Sequence, residues 1–261
     1  RVLTRMIRFE LRGLVGLATI DRPDRRNALN GELCGVLRDH LGEHPELRAV
    51  VITGVGSAFC AGADLVTRFE PTESTADGPV DTFRPAFEEM LDAIVEHPAP
   101  VIAAVNGPAM GAGMQLAVAC DLRVAAPSAR FAIPVGRLGV HLSPRNIWRL
   151  AVLAGQGAAR DLLLAGRSVD ADEARRLGIV QQLADDPLEA AFGIAGDIAA
   201  SAPLAVRGHK RALNLVAETQ WLTAAAQAEV AALEAAAFAS EDLQEGMAAF
   251  AEKRTPNFKG R

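Results

Sequence analysis

The stretch "APVIAAVNGPAMGAGMQLAVAC", residues 99 to 120, carries no formal charge. By length and apolarity it is able to cross a bilayer. Its middle argues otherwise. Asn106, Gly107, Pro108, Gly111 and Gly113 favour turns and interrupt helices, so the run reads as a buried strand, a tight turn and a buried helix. No membrane span is expected. A strand and a helix without a polar face must both be wrapped by the rest of the chain, and that demand sets the fold class.

The flanking sequence supplies the wrapping. "FELRGLVGLATI" alternates as a hairpin does, "LNGELCGVLRDHLGEH" has helical spacing, and "LRAVVITG" is a short β-branched run ending in glycine. The order then repeats, with "AFEEMLDAIVEH" as an amphipathic helix, "PVIAAVNG" as a strand, "MQLAVAC" as a helix and "LRVAAP" as a strand. Alternation of this kind predicts an α/β fold of β-β-α units turning around one core, its parallel strands covered on both faces. A chain of 261 residues can bury one generous core of this type.

Local signals place the remaining elements. "PTESTADGPVDT", residues 71 to 82, reads as a mobile surface loop. In "DADEARRLGIVQQL", Asp170 is expected to cap a helix that stops at Gly178, with Ile179 and Val180 in the next strand. From about residue 195 the pattern is helical, its last helix opening on Ser240, Glu241 and Asp242 and closing on Lys253 and Arg254. The expected organisation is a core over residues 1–194 and a C-terminal helical region over 195–261.

The net charge of -5 provides no basic field to attract nucleic acid or an acidic membrane, so a polyanionic ligand would be met by local Lys and Arg. The three cysteines, Cys34, Cys60 and Cys120, are odd in number and lack CxxC spacing. They read as reduced thiols in a cytoplasm, with no metal site. "RVLTRMIRFELRG" scatters charges through the N-terminal segment and lacks the apolar run of a secretory signal.

Two glycine-rich turns carry the functional signal. "VVITGVGSAFCAGADL" places Ala61, Gly62, Ala63 and Asp64 after a buried strand, and "VIAAVNGPAMGAGMQL" places Gly111, Ala112 and Gly113 where a strand passes into a helix. Small residues let a ligand approach the backbone, and free N–H groups at a helix start direct the positive end of its dipole outward. One N–H from each turn would polarise a carbonyl. "TGVGSAF" also resembles a dinucleotide-binding turn, but Phe59 takes the place of the final glycine and no ribose-binding acid follows at the right distance.

"DRPDRRNALN", "GVGSAFCAGADL", "NGPAMGAGMQLAVACDLRVAAPSARFAIP" and "AFAEKRTPNFKG" together resemble the crotonase, or enoyl-CoA hydratase/isomerase, superfamily in order and spacing over essentially the whole chain. The resemblance implies a crotonase-like spiral of β-β-α units, a C-terminal helical trimerisation region, and homotrimers that often pair into hexamers. It implies an acyl-CoA thioester as ligand, with no further cofactor, its carbonyl oxygen between the backbone N–H groups of Ala63 and Ala112. Coenzyme A would lie along Arg26 and Ala28 and along Ala61 to Val66, including Asp64 and Leu65, with Gly111 beside the acyl group. Phosphate contacts would come from Arg25 or Arg26, and from Lys253 of a neighbouring chain near Phe250.

The sequence departs from the family at its chemistry. Hydratases of the superfamily use two glutamates, and the matching positions here are Gln115 and Val135, neither of which transfers a proton. A position where some isomerases place an aspartate falls on Ser143, and no Asp or Glu occurs between Asp121 and Asp161. The chain also contains no Tyr. His141, Asp64 and Cys60 remain nearby. Only His141 titrates near neutrality without perturbation, while Asp64 is expected to brace its turn and Cys60 to fill core space. The sequence therefore supports an acyl-CoA binding protein with weak or absent hydratase turnover. Its alternative is a crotonase-type lyase or isomerase working with another base, such as His141.

Overall fold

A computed structural model describes residues 6–65, 74–75, 78–79, 83–218 and 223–259. The chain opens with the expected hairpin, β1 (Ile7–Arg12) and β2 (Val15–Ile20), turning at Gly13 with a φ of 63°. β3 (Ala49–Gly54) follows the Gly31–Glu43 helix, which Asn30 caps by accepting from the Leu33 N–H. Residues 71 to 82, expected to be a loop, lie mostly outside the described residues; within them β4 (Ser74–Thr75) pairs with β5 (Gly78–Pro79).

The uncharged segment behaves as its turn formers require. β6 (Val101–Val105) is wholly buried, β7 (Ala109–Met110) is short, and the helix Ala112–Ala119 buries every residue. β8 (Leu122–Ala125), β9 (Arg130–Ala132), β10 (Ser168–Asp170) and β11 (Gln182–Leu183) complete the strands. One sheet of six strands has the order β1-β2-β3-β6-β8-β11, parallel from β2 onward. A second sheet has the order β10-β9-β7, antiparallel between β10 and β9 and parallel between β9 and β7.

Strands that are apolar on successive residues need cover on both faces, and two separate clusters provide it. Leu17, Val51, Ile102 and Val124 on one face meet Ala191 and Ala195 of the Pro187–Ala200 helix. Ala18, Val50, Ile52 and Ala103 on the other meet Leu33 and Leu37 of the first helix and Met90 and Leu91 of the Phe83–Glu96 helix.

One expectation is corrected here. Ile179 and Val180 are buried but precede the strand, which pairs with β8 only from Gln182. The cause is Arg123, only 2% exposed, whose Nε donates to the Ile179 carbonyl at 2.5 Å while Nη1 donates to that of Cys120 at 2.5 Å. Its cation is surrounded by carbonyls, and burial lowers its pKa to about 10. The Pro187–Ala200 helix leads into the C-terminal region, and Asp186 caps it through the N–H groups of Leu188 and Glu189.

The following helix, Pro203–Glu218, is tied to the core by Lys210, by Arg207 on the carbonyls of Pro45, Glu46 and Leu47, and by Asn214 on that of Val95. Lys210 Nζ donates to the carbonyls of Ile94 and Ala99, both at 3.1 Å, and to Asp121 Oδ2 at 2.7 Å. Leu204, Leu213 and Val216 on the same helix remain exposed. Among the described residues no single helix is long and apolar enough to cross a membrane.

Candidate functional site

The first glycine turn is fixed by Asn27, which is fully buried. Its Nδ2 donates to the carbonyls of Val55 and Ala58 at 2.9 and 2.7 Å, and its Oδ1 accepts from the Arg22 N–H at 2.9 Å. The chain beyond it is extended. Leu29 N–H donates to the Gly62 carbonyl at 2.8 Å, and Asp64 N–H donates to the Leu29 carbonyl at 2.6 Å. Alternation along an extended segment then turns the Ala63 N–H to the opposite side, where no backbone acceptor meets it among the described residues.

The second turn runs alongside. Met110 N–H donates to the Cys60 carbonyl at 2.9 Å and Gly111 N–H to the Ala132 carbonyl at 2.8 Å. Ala112 then opens its helix, so its N–H has no intrahelical acceptor. Glycine is required twice for this approach. Gly62 holds a φ of 113°, and a Cβ on it would stand 3.0 Å from the Met110 carbonyl oxygen and 3.7 Å from Ala112 N. A Cβ on Gly113 would fall 2.1 Å from the Cys60 carbonyl oxygen. The two turns are thereby held in contact, and among the described residues neither the Ala63 nor the Ala112 N–H meets a backbone acceptor.

Ala63 and Ala112 both line a cavity of about 400 Å³. Arg25, Ala28, Ala61, Ala63, Asp64, Leu65, Gly111, Ala112, Gln115, Val135, His141 and Phe250 all line it. Arg26 and Lys253 do not; both are exposed and hold left-handed backbone, with φ of 48° and 53°. Val66 lies outside the described residues. Phe250 reaches the rim of its own chain's cavity because Gly246 and Gly139 let the Glu241–Ala251 helix press onto the Val135–Leu138 turn.

The individual residues differ in what they can do. Asp64 is buried and paired with Arg22 Nη2 at 2.9 Å, and Arg22 Nη1 also donates to the Ala28 carbonyl at 2.6 Å. This is the bracing role expected of it. Burial pushes the Cys60 thiol up to about 12, which leaves it protonated and inert. Gln115 is buried and neutral, and Val135 presents only methyl groups. His141 Nδ1 is buried without a hydrogen-bond partner among the described residues.

Glu88 also lines the cavity, and sequence reasoning missed it. It projects from the Phe83–Glu96 helix beside the apolar stripe of Phe83, Phe87 and Met90. Asn146 Nδ2 donates to its Oε1 at 2.8 Å, and the nearby Ser143 hydroxyl favours its charged form. Burial raises its pKa; the Ser143 hydroxyl and the Arg149 charge oppose that shift only in part. A sequence signal was present. Glu88 and Asp92 stand one helical turn apart, an unfavourable like-charge spacing unless cations arrive from elsewhere, and Arg145 and Arg149 show the same spacing. The structure joins them: Arg145 Nη1 and Arg149 Nη2 reach Asp92 at 2.9 and 2.5 Å.

The model of the enoyl-CoA hydratase/isomerase family matches residues 10–261. A probable enoyl-CoA hydratase, echA6, of Mycobacterium tuberculosis is 39% identical over 245 residues, 92% of this chain and 94% of that protein. An enoyl-CoA hydratase/isomerase from Pseudoalteromonas atlantica superposes with a TM-score of 0.84 at 36% identity, over 97% of this chain and 100% of its own. Carnitinyl-CoA hydratase from Mycobacterium avium gives 0.81 at 37% identity, over 98% and 99%. With its spiral α/β core, its paired glycine turns and these relatives, the chain belongs to the enoyl-CoA hydratase/isomerase family of the crotonase superfamily.

Proposed function

We propose that this protein binds acyl-CoA thioesters with the thioester oxygen between the backbone N–H groups of Ala63 and Ala112, and that it hydrates enoyl thioesters only slowly. The observation that supports the reading is that Ala63 and Ala112, whose N–H groups meet no backbone acceptor among the described residues, line one cavity with Phe83, Phe87, Val135 and Leu142. Such donors stabilise a developing oxyanion, while the apolar walls suit an acyl chain. Arg25 at the same cavity supplies a cation for the coenzyme's phosphates. No metal or organic cofactor is needed for this polarisation, and the three buried free thiols suit a cytoplasmic protein.

Ala112→Pro removes one donor at a position where a helix tolerates proline. Calorimetry is expected to show acyl-CoA affinity falling about tenfold while free CoA changes little. Equal losses for both ligands would count against the proposed hole. The second reading, a lyase or isomerase that uses His141 as base, is favoured by the unpartnered Nδ1.

The exposed Leu204, Leu213 and Val216 support assembly into a trimer, or a pair of trimers, through the C-terminal helices. Light scattering at micromolar concentration is expected to report one of these masses. A monomer would refute the assembly.

A further inference from the structure

We infer that Glu88 is the proton-transfer residue of this site, and that it moves a proton between two carbons of a 3-enoyl-CoA rather than adding water. The inference rests on the acyl-CoA reading above.

Glu88 shares the cavity with Ala63 and Ala112, and it is the lining carboxylate left uncommitted, since Asp64 is bound to Arg22. It makes no ion pair among the described residues. Its neighbours nevertheless hold it. Asn146 Oδ1 accepts from Arg149 Nη1 at 3.0 Å, which obliges Nδ2 to face Glu88, and Arg149 is itself fixed on Asp92 at 2.5 Å. Ser143, which caps the Pro144–Leu164 helix by accepting from the Asn146 N–H, lies near Glu88 and favours its charged form. The position at which some isomerases carry an aspartate is thus a hydroxyl near a carboxylate from another helix.

The chemistry follows from having one such group. Polarisation of the thioester oxygen by Ala63 and Ala112 acidifies the protons on C2. The Glu88 carboxylate takes one of them, and the electron pair moves through C1 onto the thioester oxygen, giving a dienolate. The same carboxyl then delivers the proton to C4. Electrons return from the oxygen, the C3–C4 double bond becomes C2–C3, and atoms balance with no water or co-reactant. Hydration differs, because a water must also be held and oriented beside C3, and Gln115 and Val135 supply no carboxylate for that.

The test measures conversion of trans-3-hexenoyl-CoA to its conjugated isomer, and exchange of the C2 protons of butyryl-CoA in D2O by NMR. Wild type is expected to do both. Glu88→Gln is expected to lower both about a hundredfold or more while acyl-CoA binding persists. The charged groups around Glu88 are Arg84 and Asp92 on its own helix, Arg149 on the next, and His141, Asp64 and Arg25 on the cavity wall. Activity requires the carboxylate, so the rate rises with pH to a plateau. Ser143→Ala removes a hydroxyl favouring the charged form and is expected to move that inflection upward.

If Glu88→Gln fails to fold, the Ser143→Ala inflection decides, and an unmoved inflection overturns the inference. Exchange that survives Glu88→Gln but disappears in His141→Ala transfers the role to His141. Wild type that binds acyl-CoA yet neither exchanges nor isomerises overturns the Glu88 role alone. Failure to bind acyl-CoA at all overturns the reading beneath it.

Discussion

Gly113→Ala is expected to cost at least about 3 kcal/mol of stability, enough to leave much of the protein unfolded in mild denaturant. Helix propensity alone predicts the reverse, because alanine in a helix interior is favoured over glycine by up to about 1 kcal/mol. Packing decides the sign. The added Cβ would lie 2.1 Å from the Cys60 carbonyl oxygen and 2.8 Å from the Cys60 carbonyl carbon. That carbonyl is itself an acceptor for the Met110 N–H at 2.9 Å, within the bridge joining Cys60 to Ala109. Backbone on both sides has no rotamer to change, so relief requires separating the two glycine turns. Gly35→Ala is the control: its Cβ meets nothing within 4 Å in the Gly31–Glu43 helix, and the change is expected to stabilise slightly. Urea titrations moving in opposite directions for the two variants confirm the packing, whereas a Gly113→Ala curve superimposed on wild type would refute it.

The same contact marks what the sequence made legible. An uncharged run interrupted by Asn106, Gly107 and Pro108 allows few arrangements, so strand, turn and helix follow directly, and with them the need for cover on both faces. The caps at Asp170 and Ser240 were equally local, each accepting from the N–H three residues on. Glu88 was not local. Glu88 and Glu89 are adjacent on one helix, yet Glu89 is exposed and paired with Arg38 while Glu88 turns into the cavity. Helical periodicity gives the direction of the apolar stripe but leaves the residues at its border undecided. What decides Glu88 is Asn146, 58 positions away, and nothing in either segment alone reveals the meeting. The displaced start of β11 has a similar origin, since Ile179 gives its carbonyl to a buried arginine from β8. The pattern of apolar residues foresaw burial at Ile179 and Val180, but it carried no information on where their backbone hydrogen bonds go.

Hydration of crotonyl-CoA by the wild type is expected to lie about ten-thousandfold below that of an enzyme with both glutamates, and Gln115→Glu combined with Val135→Glu is expected to recover a substantial part of the difference. A positioned acid or base contributes about a hundredfold to ten-thousandfold, and hydration needs two such steps. The backbone donors at Ala63 and Ala112 supply polarisation but no proton. Glu88 alone does not replace the pair, because a second carboxylate is needed to hold the water in place while the first moves the proton. Val135→Glu alone should therefore do less than the double change, and the two effects should be more than additive in free energy. Each new carboxyl enters a wall shared with Phe87 and Leu142, where an unpaired charge costs several kcal/mol or the group stays protonated. A thermal melt of the double variant accordingly accompanies the assay, and its rate is compared only where the fold persists. Wild-type turnover equal to that of a two-glutamate hydratase, abolished by His141→Ala, would show that His141 supplies the missing proton transfer and that the side chains at 115 and 135 do not limit the reaction.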